Sequence, residues 1–114
     1  MSNNVSSEYI INDKGAKIYT DINRHAFLDV PDVTTAALDA GAKYTVLAVG
    51  FLKGRLPLIT VKNDGGPEAY RLPDDLAGWV DMNMQAALKG IKMFPAEVEF
   101  GRLVEDNRTY AEIL

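Results

Sequence analysis

Chemistry-bearing residues are few in this 114-residue chain: one histidine, His25, three serines and no cysteine. The missing thiols exclude disulfides, zinc–thiolate sites, iron–sulfur clusters and cysteine nucleophiles. A histidine-activated nucleophile needs an oriented hydroxyl beside the imidazole. Ser2, Ser6 and Ser7 all stand in a Ser/Asn-rich leader, and no threonine is marked as activated. His25, in Asn23-Arg24-His25-Ala26-Phe27, therefore reads as a surface or packing residue. Asp13, Asp21, Asp29, Asp32 and Asp39 are scattered, with neither a calcium-binding loop nor Asp-x-Asp spacing. Asp74-Asp75 reads as a helix cap and dipole pair. Glu97 and Glu99 read as the solvated face of a strand whose other face is Val98 and Phe100, because a glycosidase-type pair would need a cleft. Asp64-Gly65-Gly66-Pro67 lacks the Lys-Ser/Thr of a phosphate loop and reads as a hairpin turn. No set of residues fills the roles of an enzyme, so no catalytic residue, metal or cofactor is expected.

What remains is cations interleaved with aromatics. Lys43, Phe51, Lys53, Arg55, Lys62, Tyr70, Arg71, Arg102, Arg108 and Tyr110 all fall within β-rich sequence. Aromatic faces stack bases without regard to sequence, and Lys or Arg neutralise phosphates. Phe51, Lys53, Arg55, Lys62, Tyr70, Arg71, Arg102 and Arg108 are accordingly the candidate nucleic-acid contacts. Lys53-Gly54-Arg55 and the Arg102/Arg108 pair occupy or flank two loops, and Lys62 lies close to Tyr70-Arg71 if their strands pair across Asp64-Gly65-Gly66. Arg71 stands first, because phosphate and base contacts converge beside Tyr70. The plainer alternative makes Tyr44, Phe51, Tyr70, Phe100 and Tyr110 core residues and the strand-end cations solvated edge protectors. Glu68, Glu105 and Asp106 weaken any positive field there.

Charge divides the chain. Twelve basic and 16 acidic residues leave a net −4. Residues 1–41 hold three of the basic and six of the acidic groups, so the rest is nearly neutral. This balance argues against coating duplex DNA by bulk charge but permits a local basic face. No run approaches 18 apolar residues, and MSNNVSSEYI lacks the basic and apolar regions of a signal peptide. An intracellular protein without a membrane partner is expected.

The elements that must position these residues follow from local pattern. Residues 1–41 read as a partly disordered arm. It contains short extended pieces at Tyr9–Ile11 and Lys17–Thr20, a turn at Asp13-Lys14-Gly15, and a helical turn from Thr34 or Thr35 to Leu38. Residues 42–114 read as one domain. Its strands fall at 43–53, 55–63 and 67–72, with a bulge or bend at Gly50 and a hairpin at Asp64-Gly65-Gly66. Pro57, early in the second of these, suits an edge or a bulge. A helix runs from Asp74-Asp75 to about Lys89 and stops at Gly90, with an apolar stripe of Leu76, Trp79, Val80, Met84, Ala87 and Leu88. Ala96–Phe100 alternates strictly, and Arg108–Ile113 is the last strand after a turn at Glu105-Asp106-Asn107.

Three strands, a helix, then two strands predict a mainly β fold: a five-stranded, Greek-key barrel like the oligonucleotide-binding (OB) fold, one helix between strands three and four plugging its end, and an N-terminal extension. The runs Tyr44-Thr45-Val46-Leu47, Leu58-Ile59-Thr60-Val61, Tyr70-Arg71-Leu72-Pro73, Val98-Glu99-Phe100 and Tyr110-Ala111-Glu112-Ile113 resemble the core of small OB-type single-stranded-DNA-binding proteins of viruses and mobile elements. The resemblance covers residues 43–113 and implies binding of single-stranded DNA or RNA without catalysis. The alternative expectation is a protein–protein interaction module using the groove or an edge, such as a viral or phage accessory factor, since fold does not fix function. The arm could then pair with a barrel edge in its own chain or link copies into a homo-oligomer. The nucleic-acid reading requires that the barrel flank lie open.

Overall fold

A computed structural model describes residues 16–34 and 41–114. Six strands form one sheet: β1 (Asp32–Val33), β2 (Ala42–Leu52), β3 (Leu56–Asn63), β4 (Gly66–Arg71), β5 (Ala96–Leu103) and β6 (Arg108–Ile113). One helix, α1 (Ala77–Leu88), lies between β4 and β5, preceded by a 3-10 turn at Asp74–Leu76. The mainly β class, the five expected strands and the helix are present.

The long apolar run folds as one strand because it serves two partners. Residues 42–46 pair antiparallel with β5, and residues 46–52 pair antiparallel with β3. Val46 faces Val61 in one ladder and Ala96 in the other, and it is fully buried. The register shifts between Val46 and Ala48. The irregularity therefore sits at Leu47, where the strand changes partner, and not at Gly50, which pairs regularly with Leu58. Pro57 is likewise not on an edge strand, since β3 lies between β2 and β4. It is tolerated at the start of the strand, opposite Phe51, where its carbonyl accepts the Leu72 N–H. The β3–β4 hairpin turns at Asp64-Gly65, closed by Asn63 opposite Gly66, whose φ of +113° suits glycine.

Beneath the sheet, Val46, Val49, Phe51, Ile59, Val61, Val98 and Phe100 pack on Leu76, Val80 and Met84 of the helical segment. The Trp79 indole stands edge-on to Phe100, with centroids 5.7 Å apart. Asn83 sits in the buried stripe because its amide donates to the Trp79 carbonyl. The stripe fades in the last turn, where Leu88 is 71% exposed. Gly90, at φ +84°, ends the helix as expected.

A closed five-stranded barrel is not what forms. The strand path is β1-β5-β2-β3-β4, with β6 on the other side of β5, and β4 and β6 do not pair. Two other contacts take the place of that seam. The arm lies along the outer edge of β4: the Leu28 N–H donates to the Arg71 carbonyl, and the Arg71 N–H donates to the Ala26 carbonyl. The Asp75 carboxylate accepts the Thr109 N–H of β6 at 2.9 Å. Asp75 was expected as a helix cap. It makes no cap bond and satisfies the edge strand instead. The arm continues into β1, which pairs parallel with β5 at Asp32–Arg102 and Val33–Leu103. Lys17–Thr20 is not a strand. The pieces expected at Tyr9–Ile11 and Asp13–Gly15, and the helical turn through 35–38, lie outside the described residues.

Asp75→Ala removes the acceptor for a strand N–H, and a hydrogen bond to a charged group is worth about 1.5–3 kcal/mol at most. The expected loss is about 1–2 kcal/mol in urea unfolding with an unchanged m-value. An unchanged midpoint would show that the seam does not depend on this contact.

Candidate functional site

The predicted contacts do not gather in one groove. Phe51 is 2% exposed and belongs to the core, so it has no face open to a base. Arg55 lies over the edge of that core, 4.5 Å from the Phe51 ring centroid, and pairs with Asp81 at 3.4 Å. Arg102 pairs with Asp32 of the arm at 3.4 Å and also donates to the Asn107 amide oxygen. Arg108 reaches Asp106 at 3.9 Å. Tyr70 is half-buried against the core, its hydroxyl accepting from Asn63. Lys53 and Lys62 are exposed.

The strand face expected to receive a ligand is not open either. Ala48, Leu52, Leu58, Thr60 and Ala69, which face away from the Val49–Ile59 layer, are each at most 6% exposed. The leading segment occupies part of this flank. His25, 6% exposed, has its Nδ1 3.4 Å from the Ala69 carbonyl, while its Nε2 accepts the Tyr19 N–H at 3.0 Å. The acceptor role of Nε2 puts the proton of the neutral ring on Nδ1. His25 is thus a packing residue, as its context suggested, and it fastens the arm to β4.

Along this seam the arm supplies groups that the sequence reading passed over. The Arg71 guanidinium lies 4.2 Å from the centroid of the Phe27 ring and donates to Asn23 Oδ1 at 3.2 Å. Phe27 is 54% exposed. A second pair follows, with Arg24 over Tyr19 at 3.9 Å. Tyr19, Arg24 and Phe27 fall within nine residues, and that clustering of cation with aromatic was the available signal. Arg71, the leading candidate, is in the seam, and Lys62 sits at its hairpin end opposite Pro67.

A separate cleft of about 380 Å³ opens between the end of α1 and β2, lined by Leu47, Val49, Met84, Ala87, Met93 and Phe94. Leu88 and Ile91, 71% and 52% exposed, stand in the same stretch of chain. Among the described residues no three His, Asp or Glu side chains converge as a metal site, and no helix is long and apolar enough to cross a membrane. No family model, curated protein or solved structure matches the chain.

Glu99 departs from the solvated strand face expected for it: Glu97 is exposed but Glu99 is 6% exposed. Tyr110, opposite Gly101, lays its ring where a Cβ on that glycine would stand 2.5 Å away, and its hydroxyl donates to Glu99 Oε2 at 2.7 Å. Gly41 leaves room for the same carboxylate. Burial, the hydrogen bond to Glu99 and the negative charge of Glu99 and Glu112 push the Tyr110 phenol up to about 12. The folded chain therefore keeps a proton that the unfolded chain, with a tyrosine pKa near ~10, has released. The stability from this pair is whole below pH ~10 and is lost as pH rises through about 12. Ultraviolet titration of tyrosinate should show a late component that loses amplitude in Tyr110→Phe, the remainder coming from Tyr44, which burial and the charge of Asp29 also raise. A wild-type curve without that late component would refute the assignment.

Proposed function

We propose that the chain binds single-stranded nucleic acid without catalysis, along the seam between the arm and β4, on a framework connected like an OB barrel. The connectivity supports this: β4-β3-β2-β5-β6 is the neighbour order of such a barrel, the helix falls between its third and fourth strands, and the arm spans the unpaired seam. The groove reading of a closed barrel falls with its buried, partly filled flank, and the site proposed in its place is the edge between the arm and β4. The observation that carries the reading is the Arg71 guanidinium stacked on the exposed Phe27 ring. A cation able to pair with a phosphate and an exposed ring able to stack a base thus share one spot of surface, with Asn23 steadying the cation. Removing one stacked base costs ~1–3 kcal/mol, and phosphate contacts weaken steeply with salt.

A labelled oligothymidylate should bind in an anisotropy titration, with affinity falling as salt rises. Phe27→Ala should weaken binding roughly five-fold or more. Arg71→Glu should weaken it further, and by more than Glu97→Lys strengthens it. Circular dichroism confirms that each variant is folded. Absence of oligonucleotide binding at low salt would overturn the reading.

A protein-interaction module is supported by a different surface, the exposed Leu88 and Ile91 beside the apolar cleft at the end of α1. Light scattering separates the two readings. A concentration-dependent mass lost in Leu88→Glu and kept in Arg71→Glu would favour association of copies through that surface.

A further inference from the structure

The arm and the β3–β4 hairpin enclose a second, more polar cleft of about 490 Å³, within the usual size of a small-ligand site. Lys17, Tyr19, Arg24 and His25 line it from the arm; Asn63, the hairpin glycines and Glu68 line it from the sheet. Its chemistry is specific. Arg24 and Lys17 bring two cations, and the one carboxylate among the described lining residues, Glu68, accepts from the Asn63 amide at 2.9 Å. Tyr19 presents an aromatic ring with the Arg24 guanidinium over it, at 3.9 Å from its centroid, and the His25 ring tilted beside it, at 5.3 Å between centroids. The Tyr19–His25 hydrogen bond fixes the backbone of that ring, so stacking it does not require an ordered loop to form first. Among the described residues nothing lies within 4 Å of the Cβ positions at Gly65 and Gly66, so none of them crowds the hairpin side of the cleft.

The cleft joins the Arg71–Phe27 stack through the arm itself. His25 is anchored at Ala69 and Phe27 bridges to Arg71, two residues further along β4, about 7 Å at strand rise. We infer that this cleft holds one nucleotide unit of the bound strand, its base on the Tyr19–Arg24 stack and its phosphate beside Lys17, next to the unit on Phe27. The inference rests on the proposed nucleic-acid reading and assigns the arm a direct part in it. A negatively charged leading segment would be expected to compete with the strand; this portion of it contributes cations and a stacking ring instead.

The test is the titration with oligothymidylate of about sixteen nucleotides, using the full chain. Tyr19→Ala and Arg24→Ala should each weaken binding roughly five-fold or more, and Tyr19→Phe, which keeps the ring, should bind like the unaltered chain. Lys89→Ala, at the end of α1, should change nothing. If Tyr19→Ala and Arg24→Ala bind normally while Arg71→Glu loses affinity, the cleft is not a strand site although the chain still binds nucleic acid. If Tyr19→Phe loses as much as Tyr19→Ala, stacking is refuted. Free thymidine monophosphate should compete poorly, and competition at oligonucleotide concentrations would mark a mononucleotide pocket and overturn the assignment to a strand. If the unaltered chain binds no oligonucleotide, both this inference and the reading beneath it fall.

Discussion

Everything in this fold hangs on β2 serving two ladders. Its first half belongs to β5 and its second half to β3, and Val46 stands in both. Side chains alternate with a period of two, so a slip of one residue would turn the whole apolar set outward. The extra residue at Leu47 absorbs the change of partner and lets Val46, Val49 and Phe51 reach one core. With those three fixed, β3 and β5 are brought within reach of the same helix, and Trp79 and Val80 can cover Phe100 and its neighbours. Loss of this shared strand would leave two small sheets, neither able to bury a face by itself.

Much of the fold was legible because it is local. Strand limits, the Asp64-Gly65 turn, the helix and its glycine stop follow from period, turn chemistry and backbone freedom within a few residues. What escaped depends on partners far along the chain. Asp75 looks like a helix cap until Thr109 is placed beside it. Glu99 looks solvated until the Tyr110 ring is laid across Gly101. Gly50 looked like the bend, but the bend falls where the partner changes, and no residue type advertises that. The candidate surface was half legible for the same reason. Arg71 could be chosen by its neighbours in sequence, whereas Phe27 and Asn23 reach it only through a 44-to-48-residue return of the chain. Phe51 could not be told from a stacking platform by type, and burial removes it.

The arginines are held in two ways. Arg55, Arg102 and Arg108 each touch a carboxylate at the surface, and the exposed side chains in these pairs gain little from one another. Arg24 and Arg71 are held against rings, so their positive charge is not cancelled by the group that positions them. In a chain with a net charge of −4, this difference leaves a small part of the surface electrostatically available to an anion.

The parallel pairing of the arm has a bearing on the order in which the molecule can be assembled. A hairpin joins strands as soon as both are made, but a parallel neighbour must wait for a crossover. Phe27 bridges to Arg71, and Asp32 meets Arg102, 70 positions later. During synthesis the arm is made before either of its partners and can join β4 only once residue 71 has followed. Its second attachment, of β1 to β5, waits longer still, until residues 102 and 103 have been made.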